Sequence, residues 1–276
     1  MTTTWGINVG THDSSITSIV DGEIVFAAHG ERSSRIKNDK QLPETTVRQA
    51  QRASGGNPDR IVYYERDWLK RIRQVWAGQY RTAWNKPTIN SLIPLVNTTG
   101  IPHLEHTQVP TTSVGHHHSH AAAGYYTSPY TDAAVLVIDS IGEFETLTIW
   151  KGEGRNLKRV FSQSYPNSLG LWYSAMTQRI GLKPNEDEYI LMGWAALGDP
   201  NKYKTKIFND FFKPLNPHSA RVSFKQNLHR GCKNWAPELD TIQDYADLAA
   251  ATQAVYEYVF THLVKQCLTQ VMQAVA

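Results

Sequence analysis

The chain opens on three short apolar runs, Trp5–Val9, Ser15–Val20 and Glu23–Ala28, with Asp21-Gly22 between the second and the third. Runs of this length read as strands, and Asp-Gly is a strong two-residue hairpin signal. The pattern predicts strand, turn, strand, hairpin, strand. Pro43-Glu44-Thr45-Thr46 then opens a helix that continues to about Ala53, because Pro and Glu favour a first helical turn. Arg60–Tyr64 reads as a fourth strand, and a helix follows from about Trp68 to Tyr80. Residues 85–112, rich in Pro, Asn and Thr, fit no element. A helix beginning in the histidine-rich stretch runs to about Tyr126, and Thr127-Ser128-Pro129-Tyr130 breaks it.

The opening pattern then returns. Ala133–Ile138 reads as a buried strand, Asp139-Ser140-Ile141-Gly142-Glu143 as a turn, and Glu145–Trp150 as a strand. Lys151–Asn156 is a Gly-containing turn and Leu157–Ser162 a third strand. The remainder is helical: Ser168–Ile180, Glu186–Leu197, Pro200–Phe212, a loop-rich stretch over Pro214–Pro237, and one or two long helices over 241–275. In the last of these, Leu248, Ala251, Val255, Val259 and Leu263 recur at near-helical spacing. Strand, acidic turn and two further strands thus occur twice. A duplicated lobe of this kind is the plan of the actin/sugar-kinase/Hsp70 fold. The expected class is α/β, with actin-like (ribonuclease H-like, ASKHA) duplicated lobes at 1–130 and 131–276, the second incomplete in this chain. On that plan Asp13 and Asp139 face one another across a cleft, with His116 and His120 on the helix joining the lobes.

Chemistry concentrates in few places. Gly115-His116-His117-His118-Ser119-His120 runs straight into Ala121-Ala122-Ala123. His116 and His120 are four apart, so on a helix they share a face and could converge on one divalent ion. His117 and His118 point elsewhere. The first turn, Gly10-Thr11-His12-Asp13-Ser14-Ser15, has a glycine and hydroxyls suited to cradling a phosphate. An Asp in such a turn can orient a metal-bound water or a substrate hydroxyl. The polar segment before Pro43 could present Arg35 and Lys37 to an anion. Arg66, Lys70, Arg71, Arg73 and Arg81, interleaved with Trp68, Trp76, Tyr80 and Trp84, read as an amphipathic helix with solvated charges rather than a nucleic-acid face. His218 and His229 read as surface residues.

Composition narrows the classes. With 28 basic and 25 acidic residues and a formal net charge of +3, the chain is not of a nucleic-acid-coating type. Its 2 cysteines, Cys232 and Cys267, have no metal-ligand spacing and fit a reducing compartment. The first residues have neither a basic n-region nor an apolar h-region, and no apolar run approaches the roughly 20 residues that span a bilayer. A soluble cytoplasmic protein is expected.

Taken in order, a set of segments resembles the NodU/tobramycin-type O-carbamoyltransferases. They are Gly6-Ile7-Asn8, His12-Asp13-Ser14-Ser15, Asp21-Gly22, Glu31-Arg32 with Arg35, Lys37 and Asp39, Tyr64-Glu65, and Trp68-Leu69-Lys70. They continue with His116-His117, Ser119-His120-Ala121-Ala122, Ser128-Pro129-Tyr130, Asp139, Gly142-Glu143, Ser168-Leu169-Gly170 and Tyr173. The last are Gly181, Lys183, Glu188-Tyr189, Met192-Gly193, Asp247-Leu248-Ala249-Ala250 and Gln253.

The resemblance implies an enzyme, a carbamoyltransferase whose YrdC-like domain makes carbamoyl-adenylate from carbamoyl phosphate and ATP. Its actin-like domain then transfers the carbamoyl group to a sugar or nucleoside hydroxyl. It implies a divalent metal held by His116, His120 and Asp139, with iron foremost and manganese or zinc as alternatives. His12 and Asp13 would orient or deprotonate the acceptor, while Ser14, Arg35, Lys37 and Glu143 would contact substrate or nucleotide. The rest of the second lobe and the YrdC-like domain would come from a C-terminal half or a second polypeptide. Two other readings stand beside this one: a non-catalytic actin-like partner subunit, and a threonylcarbamoyl-transfer protein acting on tRNA.

Overall fold

The computed structural model describes residues 1–10, 13–84 and 109–274. The chain divides into two compact units, Met1–Ser119 and His120–Ala276, the division falling inside one helix.

In the first unit, β1 (Thr3–Asn8), β2 (Ser15–Val20) and β3 (Glu23–His29) form an antiparallel meander. Asp21 and Gly22 turn the second hairpin with φ of 49° and 94°, the positive pair that a two-residue turn matching strand twist demands. A short helix α1 (Glu31–Ser34) and then α2 (Glu44–Ser54) follow, and β4 (Arg60–Tyr63) returns to lie parallel to β1. Next come α3 (Asp67–Trp76) and α4 (Tyr80–Ala83), and β5 (Thr111–Ser113) joins parallel to β4. The sheet order is β3-β2-β1-β4-β5, antiparallel on one side of β1 and parallel on the other.

Alternate residues of β1 face the core. Trp5 and Ile7 pack with Ile16, Ile61 and Tyr63 against Val47 and Ala50 of α2. Ser54 anchors the far end of α2: its hydroxyl donates to Ala50 O at 2.6 Å and accepts the Trp5 indole N–H at 3.2 Å.

The second unit contains most of α5 (His116–Tyr126) and the antiparallel meander β6 (Asp132–Gly142), β7 (Glu145–Glu153), β8 (Asn156–Ser164). Helices α6 (Leu169–Arg179), α7 (Glu188–Trp194), α8 (Lys204–Phe211) and α9 (Ile242–Gln273) complete it. The middle strand is covered on both faces. Leu147 and Ile149 join Trp172, Met176, Phe211, Leu248, Val255 and Val259 in the main core, whereas Trp150 packs with Val137 and Ala121 of α5. Gly152 is required at its place, since a Cβ there would lie 2.4 Å from the Tyr125 ring.

Several expectations are corrected. The turn expected at 139–143 is shorter: β6 runs on to Gly142, with its ladder shifted between Ile138 and Gly142, and only Glu143-Phe144 turn the chain. The helix expected over 68–80 is two helices, broken at Ala77–Gln79. Its charges are not all solvated. Arg71, Arg73 and Gln74 are buried while Trp68, Ile72 and Trp76 are exposed, and the Arg71 guanidinium donates to Ala83 O, tying α3 to α4. His218 is exposed as expected, and His229 is half-buried, edge-on to Tyr165 at 5.6 Å. Of the stretch 85–112, Thr111 and Thr112 open the strand β5, and 85–108 lie outside the described residues.

The long helix α9 is a single helix closed at its start by a capping box: the Asp244 amide donates to the Thr241 hydroxyl at 3.1 Å, and the Asp244 carboxylate accepts from Thr241. The hydrogen bond from the Thr241 hydroxyl, then that from Tyr203, hold the Asp244 carboxyl down at about 2 against burial. The ordinary value of such a carboxyl, taken for the unfolded chain, is 3.8. A depressed folded pKa means that its stabilisation is complete above the unfolded value and is lost as pH falls from there through about 2. Thermal melts between pH 5 and pH 2 (about the usable acid window) should therefore fall more steeply for the wild type than for Asp244→Asn. Parallel slopes would contradict this assignment.

Candidate metal centre

The histidine helix starts where it does because of the parallel sheet. β4 and β5 pair Tyr63 with Ser113, so the residues leaving both strands emerge side by side at their carboxyl ends, the usual place for a site in a parallel sheet. One strand continues into Tyr64-Glu65 and the other into Gly115-His116. Four residues on, Ser119 N–H donates to Gly115 O at 2.9 Å as the helix begins. His116 and His120 then lie one turn apart on the same side of α5, as their spacing requires.

Asp139 is positioned by the other unit's sheet. It stands where β6 leaves its ladder, and its carboxylate accepts from Ser140 N–H at 2.6 Å. The N-terminus of α6 presses on this point. The Ser168 hydroxyl donates to Ser140 O at 2.7 Å and accepts from Leu171 N–H at 3.0 Å as the helix cap. A Cβ on Gly170 would lie 2.8 Å from Ser140 N. The Ser168-Leu169-Gly170 segment therefore has a local physical role in seating the backbone that carries Asp139.

One ligand atom from each of His116, His120 and Asp139 lies within 4.8 Å of the others. Around a bound ion with bonds of about 2.1 Å, such atoms stand about 3.0–3.4 Å apart. The widest pair thus stands at most about 1.4–1.8 Å beyond ligand spacing. Two imidazoles and a carboxylate suit iron, manganese or zinc. The residues fit a divalent metal.

Behind His116 stands Glu65, which the sequence reading left without a role. Glu65 is 2 % exposed. Its Oε1 accepts from Lys70 Nζ at 2.7 Å, and its Oε2 lies 3.4 Å from His116 Nδ1. Tyr64 meets the His116 ring edge-on at 5.3 Å. Burial alone would push the Glu65 carboxyl up, but His116 and Lys70 together outweigh it and hold the group near 2. Its signals in the sequence were an acidic residue beyond a buried strand and its place in the Tyr64-Glu65 segment of the resemblance, neither of which gave it a role. Its partner, fifty-one residues on, follows from parallel register rather than from local pattern.

The other sequence-derived candidates are placed as follows. His12 lies outside the described residues. Asp13 is half-buried with φ 50°, its carbonyl accepting from Asn8 Nδ2 at 3.0 Å. Ser14 is fully buried, its hydroxyl donating to Gln41 O at 2.8 Å. It is thus spent on joining the first turn to the 39–41 segment, to which Gly10 N–H and Ser14 N–H also bond. Arg35 and Lys37 are exposed on the segment leading there, Arg35 with φ 60° at the end of α1. Glu143 is buried, with φ 57°, in the β6–β7 turn. His117 is fully buried, its ring 6.1 Å from that of His116. Among the described residues no helix is long and apolar enough to cross a membrane.

An α/β chain with a two-histidine, one-carboxylate group at its strand ends is the class that fold and site define. The chain belongs to the carbamoyltransferase N-terminus family, whose model matches residues 3–259. It is 30 % identical over 301 aligned residues to the uncharacterized protein sll1178 of Synechocystis sp., covering 95 % of this chain and 48 % of that protein. It is 24 % identical to the nodulation protein NolNO of Sinorhizobium fredii, covering 94 % of this chain and 38 % of NolNO. The chain thus spans about half, or less, of these curated relatives. A solved Ppx/GppA family member from Aquifex aeolicus aligns with a TM-score of 0.32 and 12 % identity, over 95 % of this chain and 91 % of that one.

Proposed function

We propose that this chain is the acceptor-side part of an O-carbamoyltransferase. The transferred group comes from carbamoyl-adenylate, made from carbamoyl phosphate and ATP by a YrdC-like domain, in the same longer polypeptide or in a partner. The acceptor hydroxyl oxygen attacks the carbamoyl carbon and the bond from that carbon to the AMP phosphate oxygen breaks. AMP leaves, and the hydroxyl proton goes to a base. Bound metal would polarise the carbamoyl carbonyl or lower the acceptor hydroxyl's pKa. His116, His120 and Asp139 would hold it. Asp13, beside the first tight turn, is the residue proposed to orient the acceptor hydroxyl and take its proton, with His12 as its neighbour in that turn. Exposed Arg35 and Lys37 would meet the nucleotide phosphate, and Glu143 would help shape the β6–β7 turn beyond Asp139.

The observation that supports this reading most directly is the His116, His120 and Asp139 group within a chain whose residues 3–259 match the carbamoyltransferase N-terminus family. The test is a reconstituted reaction with carbamoyl phosphate, ATP, a YrdC-like domain, labelled carbamoyl and a panel of sugar and nucleoside acceptors. Labelled carbamate ester is expected with the wild type, and at least about 100-fold less with Asp13→Asn, which should still bind metal. Wild-type turnover by Asp13→Asn would remove Asp13 from the chemistry. Transfer that survives complete removal of metal would overturn the metal-assisted reading.

A further inference from the structure

We propose that Glu65 is a positioning residue of the metal centre. Its carboxylate holds the proton of His116 on Nδ1 and thereby turns Nε2 of the same ring into the metal-binding atom. The inference rests on the metal-centre reading above and deepens it.

A neutral imidazole has one N–H and one lone pair, and the partner of one nitrogen decides which it presents at the other. Metal-bound histidines commonly give their second ring nitrogen's proton to a carboxylate, which fixes the tautomer and makes the ligand more basic. Around His116 a carboxylate stands at the long end of that contact. Glu65 Oε2 is 3.4 Å from His116 Nδ1, and an ionised carboxylate can only accept. Its other oxygen is engaged by Lys70 Nζ at 2.7 Å, so the carboxylate has an anchor on each side. Glu65 is buried, Tyr64 packs edge-on against the ring, and the side chain of His116 is 14 % exposed. The ring is therefore confined from several sides. His120, one helical turn on, is exposed. The pairing also accounts for a carboxylate in a buried place just beyond β4.

Two variants and two measurements test this. Glu65→Gln is nearly isosteric but loses the charge, and Lys70→Met removes the other arm while leaving the carboxylate beside His116. The affinity of each purified protein for Co(II) is read from its absorption bands, and the tautomer of His116 from nitrogen-15 NMR of metal-free protein, assigned by its absence in His116→Ala. The wild type should show the Nδ1–H form. Glu65→Gln should lose that preference and bind Co(II) about 10- to 100-fold more weakly, whereas Lys70→Met should stay within about threefold. An Nε2–H tautomer in the wild type, or an unchanged affinity and tautomer in Glu65→Gln, would overturn the inference while leaving the metal site standing. An equal loss in both variants would also overturn it, because that pattern reports local packing. If the wild type binds no Co(II), the metal reading itself fails, and the tautomer measurement still decides whether Glu65 orients His116.

Discussion

His120→Ala abolishes saturable divalent-metal binding and leaves the fold intact. The side chain is exposed, so its removal opens no cavity, and alanine is the strongest helix former in the interior of α5. What is lost is one of the three proposed protein ligands. Loss of a mere outer partner of a ligand typically costs 10–100-fold in affinity, so loss of the ligand itself should cost at least about 100-fold. The consequence is measurable as stability. At a metal concentration 100 times its dissociation constant, the wild type gains about 2.7 kcal/mol of folding free energy by mass action. A variant bound 100-fold more weakly gains about 0.4 kcal/mol under the same conditions. Thermal melts with and without iron, manganese or zinc should therefore diverge for the wild type and nearly coincide for His120→Ala. Equal upshifts in both would place the ion elsewhere.

Trp172→Ala lowers stability by about 3–5 kcal/mol, the usual cost of deleting a large buried aromatic. Trp172 is wholly buried in the core of the second unit, edge-on to Phe212 at 5.1 Å. It sits on α6, the helix whose first turn seats Asp139 through Ser168 and Gly170, so the loosened helix should weaken metal binding as well. Trp172→Phe should behave differently. The indole N–H is buried and has no hydrogen-bond acceptor among the described residues, and leaving a donor unpaired is itself costly. Phenylalanine removes that donor as well as some volume, so its net cost should be only about 1–2 kcal/mol. Urea unfolding followed by tryptophan fluorescence and circular dichroism separates the two. Equal losses would mean that the indole N–H is satisfied.

Local signals carried much of the fold. Ser15–Val20 was readable to the residue because an apolar run ends at Asp21-Gly22, which can turn only one way at low cost. The histidine helix ends at Tyr126 as its small-residue run and the following Thr-Ser-Pro suggest. The helix from Ile242 buries Leu248, Ala251, Val255, Val259 and Leu263, the residues whose spacing announced it.

What escaped is long-range. The burial of Arg71 and Arg73 inverts the expected amphipathic face, because Arg71 finds a carbonyl acceptor on α4 and no one-dimensional pattern reports such a partner. The irregular continuation of β6 through Ser140 and Ile141 hides in residues that read as a turn, since only the pairing of Gly142 with Glu145 makes it a strand. In the candidate site, the His116 and His120 spacing was visible because helical periodicity alone puts them on one side. Asp139 came from resemblance, and Ser14 looked like a substrate contact because a buried hydroxyl bonded to Gln41 O is indistinguishable in sequence from an exposed one. Glu65 stood unassigned because its tie to His116 depends on two parallel strands ending level.

The central claim is that His116, His120 and Asp139 hold one divalent ion, and the most direct test is the metal content of tag-free protein purified without oxygen. About one iron, manganese or zinc per chain is expected, taken up again after chelation, and none in the double variant His116→Ala/His120→Ala. A wild type that neither carries metal nor takes it up anaerobically from any of the three ions, or a double variant that keeps its full complement, would contradict it.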